Sequence, residues 1–160
     1  MMNVTVIAVG KLKERYLTDG CSEYLKRLGT LCAVTMIEIP EERAPETPSP
    51  AQIAAVLEKE GERILAKIPR GAYVVSLCIE GTELDSPAFA GKLEKQAVAG
   101  SSHFVFVVGG SFGLSRKVKE FSDFRLSMSR MTFPHQVARM VLLEQVYRCF
   151  QIMNHTKYHK

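Results

Sequence analysis

Three groups of residues in this 160-residue chain have types and spacings that could do chemistry. His135 follows the segment SRMTFP and opens a long apolar helical pattern, so an imidazole that changes charge near neutral pH stands where a strand gives way to a helix. The ending NHTKYHK gathers His155, Lys157, Tyr158, His159 and Lys160; such a tail is either frayed or a lid over a substrate. The stretch FVFVVGGSFGLSRKV, residues 104–118, reads as a buried strand, a glycine-rich turn and a helix start. Gly109, Gly110 and Gly113 let main chain approach a ligand closely, or simply make a tight turn.

Known glycine motifs do not explain that turn. GxxxxGK[ST] wraps phosphates and GxGxxG seats a pyrophosphate on a helix N-terminus, but the spacing here is GGxxG with no Lys-Ser or Lys-Thr pair after Gly113. The chain also lacks a GxSxG elbow, an HExxH pair, clustered carboxylates and a plausible metal set. Hydrolase and metalloenzyme readings therefore have little support.

Alternating elements must position these groups. Strand-like runs at Asn3–Val9, Ala33–Ile39, Ala72–Ile79, Phe104–Val108 and Arg125–Met128 alternate with helical patterns at Lys13–Leu28, Ala51–Ile68, Pro87–Ala99, Arg116–Phe121 and Pro134–Met153. This repeat predicts an α/β protein with an open, mostly parallel sheet and helices on both faces. Ligands of such sheets bind beyond the carboxyl ends of the strands, which marks Gly10, Glu80 with Gly81, Gly109 with Gly110, and Ser129 onward. The proline-rich stretch PEERAPETPSP is expected as an exposed connection within one domain spanning 1–160. The last helical pattern is apolar on more than one side, through Val137, Met140, Val141, Leu143, Val146, Tyr147, Phe150 and Met153. It is either a deeply buried core helix or a homodimer seam.

Composition narrows the class. Hydrophobic residues make up 46% and charged residues 24%, and no apolar run approaches the ~20 residues that span a bilayer. The N-terminus has neither the basic region nor the cleavage site of a leader, so a cytoplasmic location is expected. Cys21, Cys32, Cys78 and Cys149 are scattered, as expected of reduced packing residues. The net charge of +4 is mild but clustered at Lys11, Lys13 and Arg15, at Arg116, Lys117 and Lys119, and at Lys157 and Lys160. Such clusters suit a polyanion, or are solvated helix faces.

The segments VIAVGKLKERY, EYLKRL, PEERAP, EKEGERILAKI, FVFVVGGSFGL and LSMSRMTFPHQVARMVLLEQVYRCFQIMNHTKYHK resemble, over essentially the whole chain, the large-subunit ribosomal RNA methyltransferase H family of the SPOUT superfamily. The resemblance implies a C-terminal α/β trefoil knot and a homodimer packed through terminal helices. It also implies methyl transfer from S-adenosyl-L-methionine to N3 of a pseudouridine in 23S rRNA of the assembled ribosome, with no metal and no membrane. By motif position, the cofactor site falls on Leu77, Gly109, Met128, Ser129, Arg130, Met131, Thr132 and Phe133. The cofactor has no phosphate, which accounts for the missing phosphate motifs.

The acceptor nitrogen is an imide that carries a proton at neutral pH, so a base, or a cation beside the anionic ring, is expected. His135, Tyr158, His159 and Lys160 are the expected catalytic residues. Some members of the family end in His-Arg where this chain has His159-Lys160; lysine keeps the charge without the bidentate fork. Phe112 could stack on a base or plug the turn. Two rival readings are an inert ribosome-binding module and a flavodoxin-like nucleotide-binding domain.

Overall fold

The computed structural model describes residues 1–160. The chain runs β1 (Asn3–Val9), α1 (Arg15–Leu28), β2 (Ala33–Ile39), α2 (Pro50–Leu65), β3 (Tyr73–Glu83), α3 (Ser86–Val98), β4 (His103–Val108), α4 (Arg116–Phe121), β5 (Phe124–Ser127) and α5 (His135–Met153). All strand pairs are parallel, in a single five-stranded sheet of order β2-β1-β4-β3-β5. Because β4 lies between β1 and β3, the order is not the 2-1-3-4-5 of flavodoxin-like folds, and that rival reading falls.

The period-2 geometry of strands sorts their apolar residues onto two covered faces. Val4, Val6 and Ala8 of β1 and Phe104, Phe106 and Val108 of β4 pack with Leu28 of α1, Leu93 of α3 and Leu142 and Val146 of α5. Ile7, Val9, Val105 and Val107 face the other way, onto Ile64 of α2 and Val118 of α4. Two-sided burial is why these strands read as unbroken apolar runs.

Helix α5 lies against both α1 and α3, and none of its residues is fully exposed. Leu143, Val146 and Phe150 are buried there, whereas Val137, Met140, Val141, Tyr147 and Met153 stay half-buried, so the chain itself covers only part of the apolar excess. All four cysteines are free and buried. No helix is long and apolar enough to cross a membrane.

Strand β3 runs further than the sequence implied, to Glu83 rather than Ile79. Leu126 of β5 pairs first with Leu77 and then with Thr82, so the intervening residues loop out of register before the strand resumes. Gly81 makes the return possible: a Cβ there would lie 2.7 Å from the Arg125 carbonyl oxygen. Beyond β5 the chain turns back and lays α5 on the α1–α3 face, a path compatible with the knotted threading that the resemblance implies.

The connection 40–49 has no regular structure but is pinned to α2. Arg63 donates to the Pro40 carbonyl at 3.0 Å and to Glu42, while the Glu60 carboxylate accepts from the Glu42 N–H at 3.0 Å. Ser49 then caps α2 in a reciprocal bond pair with Gln52, and Pro50 occupies the first turn.

Candidate active site

A cavity of about 690 Å³ opens at the carboxyl ends of β3, β4 and β5. Its walls are Leu77 to Ile79 from β3, Val108 to Gly113 from the turn after β4, Leu126, Met128, Ser129 and Met131 to Pro134 from β5 and its exit, and His135 and Ala138 from α5. Leu77, Gly109, Met128, Ser129, Met131, Thr132, Phe133 and His135 are thereby brought together as expected. Arg130 is not part of the wall: it is exposed, with its guanidinium 3.8 Å from Glu83.

The glycine turn is built by its own main chain. Gly110 and Gly113 form an antiparallel bridge, with the Gly113 N–H donating to the Gly110 carbonyl at 3.1 Å. A Cβ on Gly109 would sit 2.5 Å from the Gly113 oxygen, so glycine is required there before any ligand is considered. Phe112, 40% exposed at the tip, lines the cavity and is no plug. The exit of β5 is braced by hydroxyls: Ser129 accepts from the Met131 N–H at 3.0 Å, and Ser127 donates to the Ser129 carbonyl at 3.2 Å.

Burial pushes the His135 imidazole below its usual value; Arg139 and Lys13 act the same way, while Glu41 opposes them. The ring is therefore neutral at pH 7 and able to accept a proton. Glu41 is the residue that sequence reasoning missed. Ser111 of the glycine turn donates to Glu41 at 3.3 Å, and a Cβ built on Gly10 would have Glu41 Oε2 at 3.6 Å and His135 Nε2 at 4.0 Å. This carboxylate thus stands between the turn and the histidine. Its one sequence signal was its place just beyond the end of β2, where open sheets bind ligands.

The tail is neither frayed nor closed over this cavity. His155 takes a left-handed conformation, φ 57°, just past the end of α5, and Thr156 donates to the Gln151 side chain at 2.7 Å. Tyr158 then packs edge-on against Tyr147, ring centroids 4.9 Å apart, beneath the Arg148 guanidinium. His159 lines a second cavity of about 570 Å³, which shares Leu126, Met128 and Phe133 with the first. Lys160 is exposed, and Tyr158 lines neither cavity. His103 is structural, bonded to Thr5 at 2.7 Å.

The first cavity's lining includes no lysine or arginine, so it offers no counter-charge to a phosphate. Apolar side chains and close main chain suit an uncharged nucleoside instead. A five-stranded parallel sheet thus carries a ligand-sized cavity at three of its strand exits. Residues 2–159 match the family model described as "Predicted SPOUT methyltransferase", and the chain belongs to that family.

Over 159 residues the chain is 50% identical to the "Ribosomal RNA large subunit methyltransferase H" of Carboxydothermus hydrogenoformans, covering 99% of this chain and 100% of the relative. The protein of the same name from Listeria monocytogenes serotype 4a is 52% identical over 159 residues, with 99% and 100% covered. A "Putative ribosomal RNA large subunit methyltransferase H" of Methanococcus maripaludis is 46% identical, again with 99% and 100% covered. The fold is shared with a probable methylase family protein from Haemophilus influenzae, at a TM-score of 0.51 and 12% identity, covering 99% of this chain and 70% of that one.

Proposed function

We propose that this protein, as a homodimer, transfers a methyl group from S-adenosyl-L-methionine to N3 of a pseudouridine in the 23S rRNA of the assembled ribosome. The observation that carries this reading is the cavity at the strand exits, lined by seven of the eight expected cofactor residues within a chain about half identical to the methyltransferase H relatives.

The wall fits the cofactor in kind. Leu77, Met131 and Phe133 offer apolar surface to an adenine, the glycine turn offers main chain at close range, and the absence of cations from the lining suits a nucleoside without phosphate. Met128, Ser129 and Met131 to Phe133 form the third side of the wall, which Arg130 does not join. When bound, the cofactor supplies a sulfonium methyl, which passes to the ring nitrogen as the sulfur–carbon bond breaks to leave a thioether. The chain's own residues orient the partners and move the imide proton. His135, neutral and at the cavity wall, is the group placed to accept that proton; Tyr158, His159 and Lys160 are assigned to the acceptor side, although of the three only His159 lines a cavity beside the first.

A ribosomal substrate implies a location in the cytoplasm with ribosomes. The test is transfer of labelled methyl to assembled ribosomes, isolated large subunits and naked rRNA offered in parallel. Label on a pseudouridine with assembled ribosomes alone is expected. Cofactor binding without label on any of the three would overturn the proposed activity in favour of an inert binding module.

A further inference from the structure

Glu41 stands at the edge of the first cavity with no cation paired to it. The carboxylates on either side of it in the sequence are matched: Glu42 by Arg63 and Lys59, and Glu38 by Arg139. Glu41 is exposed, and its Oε1 accepts from the hydroxyl of Ser111, a residue of the cavity lining, at 3.3 Å. That leaves Oε2 with no donor. The cations of this neighbourhood do not supply one: Arg139 donates to Glu38 and to the Gly10 carbonyl, and Lys13, whose charge reaches His135, is exposed and makes no ion pair with Glu41.

Oε2 faces the space over Gly10. This glycine has φ 89°, and the point where a Cβ would stand is 3.6 Å from Glu41 Oε2 and 4.0 Å from His135 Nε2. Apart from the glycine's own chain neighbours, nothing else comes within 4 Å of that point. A group the size of a methyl therefore fits between the carboxylate and the imidazole. An ammonium group has that size, carries only donors, and would meet an anionic oxygen on one side and a neutral ring on the other.

The sheet order gives the cavity two unlike ends. Leu77, Ile79, Met131 and Phe133 stand at the β3 and β5 exits, while Ser111 and His135 stand toward the β1 and β2 exits, with Gly10 and Glu41 just beyond them. S-Adenosyl-L-methionine has the same polarity, a flat purine at one end and an amino acid at the other. We propose that Glu41, held by Ser111, binds the α-ammonium group of the cofactor's methionine portion over Gly10 and so sets which way round the cofactor lies. The inference rests on the cofactor reading above and adds to it a residue outside the cavity lining. A carboxylate–ammonium contact is a charge-assisted hydrogen bond. The same carboxylate favours the cofactor over the product, because the sulfonium charge is lost on methyl transfer.

Calorimetric affinities for three ligands test this: S-adenosyl-L-methionine, its decarboxylated form, which keeps the amine, and its deaminated analogue, which keeps the carboxylate. Glu41→Gln is expected to weaken the first two roughly fivefold, the scale of one partly solvated ion pair, and to change the deaminated analogue by less than about 1.5-fold. The retained affinity for that analogue also shows that the variant is folded and its cavity intact. Equal weakening of all three ligands would make Glu41 a brace of the glycine turn, and unchanged affinity for the two amines would remove it from the site; either result overturns the assignment. If the unsubstituted protein binds none of the three, the cofactor reading and this inference fall together. If it binds them yet methylates no ribosomal RNA, the activity reading alone fails, and the ligand comparison still decides the role of Glu41.

Discussion

The Arg139 guanidinium lies 2.7 Å from the Glu38 carboxylate and 2.9 Å from the Gly10 carbonyl, so one buried side chain of α5 ties down the ends of β1 and β2. His135 stands one turn earlier on the same helix. Its place in the cavity therefore depends on an ion pair that touches neither cofactor nor acceptor.

Arg139→Ala should be strongly destabilising. Breaking a buried pair costs about 3–5 kcal/mol, and the lower end applies because Glu38 is partly solvated, with 38% of its side chain exposed. Urea unfolding should show a reduced midpoint. An NMR titration should also show His135 moving to higher pKa, because the missing guanidinium is one of the charges that hold it down. A midpoint equal to that of the unsubstituted protein would mean that the pair does not anchor the helix.

Glu41 opposes the lowered pKa of His135, so Glu41→Gln should drive it lower still. The acidic limb of the transfer rate then shifts to lower pH, because the imidazole stays neutral further into acid. A limb displaced to higher pH would refute the coupling.

Glu60 is 4% exposed, and desolvation by burial raises its carboxyl pKa. The folded state thus holds the proton to higher pH than the unfolded chain does. Stability attributable to this group is full below the ordinary glutamate value of about 4.3 and falls as pH rises through the raised one. Glu60→Gln keeps an acceptor for the Glu42 N–H and removes the charge, so its melting temperature at pH 8 should equal or exceed that of the unsubstituted protein. A clear loss at pH 8 would show the ionised form to be needed.

Gly109→Ala would force its methyl against the Gly113 carbonyl and open the turn. Overpacking of this kind costs about 1–3 kcal/mol. Calorimetry should show weaker cofactor binding, because the turn supplies one wall of the first cavity. Unchanged affinity would remove the turn from the cofactor site.

The basic clusters are expected to meet ribosomal phosphates, although not all of their members are free. Lys119 is paired with Glu80 at 2.5 Å, whereas Arg116 and Lys117 are exposed. Neutralising Arg116 and Lys117, or Lys11 and Lys13, should weaken ribosome binding and flatten its salt dependence by roughly one logarithmic unit of slope for each phosphate left without its cation. An unchanged slope would assign these residues to solvated surface.

Local chemistry determined much of this protein from its sequence alone. The strand-like apolar runs at Asn3–Val9 and Ala33–Ile39 named their strands to the residue, and α4 matched its predicted bounds, because apolar patterning and capping are read over a few neighbouring residues. The segment Met128–Phe133 and His135 sit together in one connection, so their shared cavity was legible too. Only tertiary structure decided what depends on distant parts of the chain. The strand order, the return of β3 at Gly81, and the meeting of Glu41 with Ser111 and of Arg139 with Glu38 all join residues far apart in sequence. No periodicity encodes such pairings, since each is set by which strand exits lie side by side once the sheet has formed. The same reason placed His159 in a second cavity: its position follows from Tyr158 docking on Tyr147 and from the contact of its ring with Arg148 on the same stretch of α5.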